Sequence, residues 1–147
     1  MNTKKIVSEM NEQQQKWLEE YGFYIHNVFP SSDNEILWSH HTHGLKESFN
    51  HTDLEIVLPI NPQIAGSVFH GMVDLIKEGE SFENKITSDK VIRNYDVQLF
   101  RVNDGTRDLI RIILPDENGK LPCDKDCAEV YRNQLDDLDF CKPSSVS

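Results

Sequence analysis

The segment from Asn61 to Gly79 constrains the fold of this chain more than any other. Asn61-Pro62 places a side-chain acceptor and then a proline where a helix begins, because the first helical N–H groups have no partner inside the helix. Apolar residues then recur at Ile64, Val68, Met72, Leu75 and Ile76, and Gly79 supplies the stop. That spacing describes one buried face, with His70 away from its centre. A helix with one apolar face needs an apolar surface to cover.

The rest of the chain reads mainly as strands that would provide that surface. Residues 23–29 are β-branched and aromatic, and Pro30-Ser31-Ser32-Asp33-Asn34 follows as a turn. Strands are predicted at 35–43 (ending at Gly44), 54–60 (closed around Pro59), 91–92, 97–102 and 108–114. Residues 81–88 read as a polar loop. Asn103-Asp104-Gly105-Thr106 joins the last two strands as a hairpin, and Pro115-Asp116-Glu117-Asn118-Gly119 is a further turn. Residues 6–21 predict an amphipathic helix through Ile6, Met10, Trp17, Leu18 and Tyr21, and residues 127–135 a short one. The order α-β-β-β-α-β-β-β-α, with short turns between strands, implies an α+β class: a single domain over 1–140, a largely antiparallel sheet with helices packed on it, and a flexible tail at 141–147.

The formal net charge of −10 over 147 residues argues against nucleic acid as a partner, since backbone binding requires concentrated Lys and Arg. No apolar run is long enough to span a bilayer, and Met1 to Lys5 has no apolar stretch behind it, so the expectation is a soluble cytoplasmic protein without a membrane partner. The acidic run Asp136-Asp137-Leu138-Asp139 reads first as a solvated surface. An acidic face that docks on a host protein partner, as an inhibitor would, stays open, as does a homo-oligomer. Three cysteines in such a compartment predict free thiols, because the Cys123/Cys127 pair lacks two further ligands at zinc spacing.

Function points to one stretch. Trp38-Ser39-His40-His41-Thr42-His43-Gly44-Leu45, followed by Asn50-His51-Thr52-Asp53, holds four of the six histidines. In an extended chain His41 and His43 project from one face, and His40 and Thr42 from the other. Two imidazoles on one face suit a divalent metal or the polar floor of a small-ligand site.

These residues also carry a family resemblance. His41-Thr42-His43-Gly44-Leu45 with Phe49-Asn50-His51-Thr52-Asp53-Leu54 resembles a Tyr-Thr-x-Gly-Leu strand followed by His-Pro-Glu-Leu. Leu114-Pro115-Asp116-Glu117-Asn118-Gly119-Lys120-Leu121-Pro122, then Cys127 and Tyr131, resembles the closing Pro-Asp-x-x-Gly-x-Phe-Pro segment of the same family. The family is the bacterial and phage one catalogued as domain of unknown function 4262, and the likeness covers residues 22–134. It implies no activity. It carries over Thr42, Gly44, His51 and an acid at Asp53, whereas histidine at 41 and 43 departs from its pattern.

Three readings of the site follow. In the first, His41, Thr42, His43, Gly44 and His51, with Arg101 and Arg111 from the later strands, bind a small molecule, a nucleotide or another anionic ligand. A phage-type protein of this kind would sequester a nucleotide signal of host immunity. In the second, His41, His43, His51 and Asp53 hold zinc for a metal-dependent hydrolase, although no His-Glu-x-x-His signature is present. In the third, the protein acts through its acidic surface as an interaction or inhibitor protein. No catalytic set is complete, so binding leads over catalysis. Nucleophilic cysteine chemistry is disfavoured because Cys123 and Cys127 sit among acids.

Overall fold

The computed structural model describes residues 11–29 and 38–138, and within them six strands form one sheet. They are β1 (Tyr24–Val28), β2 (Ser39–His43), β3 (Asp53–Ile56), β4 (Thr87–Ile92), β5 (Tyr95–Asn103) and β6 (Asp108–Ile113), in the spatial order β1-β2-β3-β6-β5-β4. Neighbours are antiparallel except the two central strands, β3 and β6, which run parallel. Two antiparallel three-stranded units therefore meet at one parallel seam. Parallel strands cannot be joined by a tight turn. Here the long connection contains α3 (Pro62–Lys77) and the β4–β5 hairpin.

Helix α3 begins as its sequence predicts, with the Asn61 side chain accepting from the Gln63 N–H at 2.7 Å. Its buried face is rotated from the predicted one: Ala65, Phe69, Met72 and Val73 are buried, while Ile64 is 55% exposed. Phe69 decides the rotation by filling the core it shares with Leu54, Ile56, Ile110 and Ile112. Pairing register assigns the sheet faces. Leu54, Ile56, Ile110 and Ile112 point to the α3 side, so Asp53, Glu55 and Arg111 share the opposite face, as do His41 and His43.

The first helix, α1 (Glu12–Tyr21), starts at an Asn11–Gln14 capping box and ends at Gly22, φ +85°. The stretch predicted helical before it, residues 6–10, lies outside the described residues, as do 35–37 and the tail. A five-residue helix, α2 (Leu45–Phe49), enters directly after β2 and is not predicted from sequence. Strand β3 stops at Ile56, short of Ile60, although Val57 and Leu58 stay buried. Strand β4 begins within the predicted polar loop, where pairing of Thr87 and Ser88 with β5 orders an edge of low intrinsic strand propensity. The chain then forms α4 (Glu129–Arg132), continued by a 3-10 turn over Asn133–Leu138. This is an α+β domain with a mostly antiparallel open sheet. Among the described residues no helix is long and apolar enough to cross a membrane.

Candidate functional site at the end of β2

The β2–β3 ladder pairs His40 with Ile56 and His41 with Glu55, then gives way to side chains. At the next position the Thr42 hydroxyl accepts the Leu54 N–H at 3.0 Å and donates to Asp53 Oδ1 at 2.7 Å. The same oxygen accepts the Leu45 N–H at 3.1 Å, capping α2 where Gly44 has no side chain to do so. Asp53 Oδ2 accepts from Arg107 Nη1 at 2.9 Å, and Arg107 Nη2 donates to the Thr42 carbonyl at 2.9 Å. Burial pushes the Asp53 carboxyl up, and the bonds from Thr42 and Leu45 and the Arg107 charge only partly offset it. Gly44 adopts φ +108°, and a Cβ there would lie 2.9 Å from the Gly22 carbonyl oxygen and from Leu18. Glycine is required here for chain packing.

His51 is buried, with Nδ1 donating to the Thr52 carbonyl at 2.8 Å and Nε2 accepting the Phe82 N–H at 3.0 Å. Those partners assign the Nδ1–H tautomer and commit both nitrogens. Next to it the Thr52 N–H and hydroxyl donate to Glu83 at 2.6 and 2.7 Å, and Arg101 Nη2 donates to Glu83 Oε1 at 2.8 Å. Burial raises the Glu83 carboxyl, but the bonds from Thr52 and Arg101 overcome this and hold it down at about 2.

These groups border an open cavity of about 840 Å³ at the sheet end, whose wall includes Tyr24, His43, Gly44, Thr52, Asp53 and Arg101. Its charged lining consists of three cations, Lys46, Arg101 and Arg107, against four carboxylates, Glu47, Asp53, Glu83 and Asp108. Both arginines already face carboxylates.

On the sheet face beside the cavity, β1–β2 pairing sets Tyr24 opposite His43 and His26 opposite His41. Tyr24 and His43 stack at 5.0 Å between ring centroids, 14° from parallel. One ring nitrogen from each of His26, His41 and His43 lies within 4.8 Å of the other two. Burial, then the Arg107 charge, lowers His41 to about 4 and His43 to about 3, so both are neutral at neutral pH. His40 faces the core instead, with its Nδ1 accepting from the Asn27 amide at 2.7 Å. Among the clustered histidines His26 is the one missed from sequence, since only the register puts it opposite His41, and Tyr24 and Lys46 of the cavity wall are missed as well.

Several sequence-predicted site residues are thus separated. The imidazole of His51 and the carboxylate of Asp53 are engaged by their own partners, apart from the cluster that His41 and His43 form with His26. Arg111 is buried away from the cavity wall, donating from Nε to Glu55 Oε1 and from Nη1 to the Gln134 carbonyl, both at 2.9 Å. A sequence cannot show that Glu55 and Gln134 converge on it. Thr42 lies just behind the wall, holding Asp53. Cys127 is a buried free thiol as expected, whereas Cys123 is disulfide-bonded, which corrects the expectation of free thiols throughout.

The family model for a domain of unknown function (DUF4262) matches residues 18–128. The chain belongs to this family. No curated protein and no solved structure matches the chain. The DUF4262 match runs from the last turn of α1 past β6, so it contains the cavity lining and all three clustered histidines.

Proposed function

We propose that this DUF4262 protein binds a small polar molecule in the cavity at the end of β2, and that binding, not turnover, is its function. The observation that carries this reading is the cavity, whose volume of about 840 Å³ lies within the range of small-molecule sites. Its wall combines a stacked Tyr24–His43 ring pair, the Lys46 ammonium and the Arg107–Asp53 ion pair at 2.9 Å. A simple anion would compete with carboxylates for both arginines. A ligand with a flat polar ring beside Tyr24 and His43 and an anionic group reaching Lys46 uses the wall better, which keeps nucleotide-sized molecules as the favoured class.

The test is to denature the purified protein and identify released small molecules by mass spectrometry. In parallel, nucleotides and related ring-bearing metabolites are screened for thermal stabilisation. A retained or stabilising molecule is expected, with Tyr24→Ala and Lys46→Ala each weakening it by about tenfold, a loss of about 1.4 kcal/mol. The reading fails if nothing is released and nothing stabilises, or if both variants bind like the parent.

A further inference from the structure

Both ring nitrogens of His51 and the Nδ1 of His40 are tied to amide and backbone partners, but those of His26, His41 and His43 take part in no hydrogen bond among the described residues. The three rings converge from two paired strands, with centroids 5.0 Å apart for His26–His41 and His41–His43 and 6.0 Å for His26–His43. Five consecutive register pairs between β1 and β2 hold their backbones in place. From this geometry we propose that His26, His41 and His43 bind one divalent metal ion of the zinc class.

Imidazole is a good ligand for zinc, copper and nickel, and three protein nitrogens leave one position open. With metal–nitrogen bonds of about 2.0–2.1 Å, tetrahedral donors stand roughly 3.3 Å apart. The donor nitrogens now lie within 4.8 Å of one another, so binding requires the rings to turn closer together. His26 is exposed and the other two are half-buried, so the rings have an approach path from solvent. Arg107 is the neighbouring cation, and Asp53 offsets its charge at 2.9 Å.

The metal site stands independently of the small-molecule reading, and its consequence deepens that reading. His43 also lines the cavity, so the ion would sit at the cavity's edge. Two added positive charges turn a wall of three cations and four carboxylates into a net cationic one. The ligand class then shifts towards anions with a donor atom able to take the open metal position.

The full-length protein, stripped with a chelator, is titrated with Zn²⁺ by calorimetry and with Co²⁺ by visible absorption. One ion per chain is expected, with Co²⁺ bands of low-coordinate nitrogen ligation. His26→Ala and His43→Ala should each weaken binding by roughly tenfold or more, and His70→Ala, outside the cluster, should leave it unchanged. His26 is exposed, so its variant should stay folded, which circular dichroism checks. Absence of saturable one-to-one binding, or binding of unchanged affinity in His26→Ala, overturns the proposal. Metal alone is the probe, so this outcome is separate from whether any small molecule is retained.

Discussion

The Thr42 hydroxyl donates to Asp53 Oδ1 at 2.7 Å while accepting the Leu54 N–H at 3.0 Å, so one side chain replaces a rung of the β2–β3 ladder. Through Asp53 it also fixes the start of α2 and the position of Arg107. The cavity wall is thereby built on a buried polar network.

Thr42→Val should test that network. It keeps the shape but strands the buried Leu54 N–H and leaves Asp53 Oδ1 with the Leu45 N–H as its one remaining donor, for an expected loss of about 2–4 kcal/mol. Thr42→Ser keeps the hydroxyl and should lose about 1 kcal/mol, the value of one buried methyl group. Urea unfolding measures both, and equal losses for the two variants would show that packing, not hydrogen bonding, makes Thr42 matter.

His51 and His26 should respond in opposite ways. His51 bridges the start of β3 to Phe82 with both nitrogens, so His51→Ala should cost about 3 kcal/mol and leave Co²⁺ binding intact in the folded protein. His26→Ala should cost under about 0.5 kcal/mol, as an exposed substitution does, and weaken Co²⁺ binding by roughly tenfold or more. Denaturant midpoints paired with cobalt spectra separate the two.

Acidification should destabilise the metal-free protein early. His41 and His43 titrate at 6.5 when unfolded but at about 4 and about 3 when folded. Between those values the unfolded chain binds more protons, so stability rises with pH there and falls as pH drops below about 6.5. Glu83, lowered from 4.5 to about 2, adds a loss of the same sign only below about 4.5. Asp53, with its folded value raised, acts in the opposite direction above 3.8. Thermal midpoints from pH 7 to 4.5 should fall steadily, and His41→Gln/His43→Gln should flatten that slope. An unchanged slope would remove these two histidines as its cause.

Much of the architecture is legible from periodicity. The long helix after Asn61-Pro62, the turns at Asn103–Thr106 and Pro115–Gly119, and the alternation of His40, His41, Thr42 and His43 all follow from local spacing. The helix α2 does not. Its first N–H is capped by Asp53, eight residues beyond Leu45, so the stabilising partner lies outside any local window. The turned face of α3 has a similar origin, because Phe69 wins burial by fitting the sheet, a competition invisible in the helix alone.

The sequence by itself determined the α+β class, the strand carrying the histidines and which of them share a face, because side-chain alternation is a property of the extended backbone. Tertiary structure alone decided that His26 joins His41 and His43, that His51 and Asp53 spend their polar atoms on the scaffold, and that Arg107 faces the cavity while Arg111 is buried against Glu55. Each of those outcomes depends on strand register or on partners distant in the chain: β1–β2 pairing sets the histidine cluster, and the β3–β6 seam brings Arg111 beside Glu55.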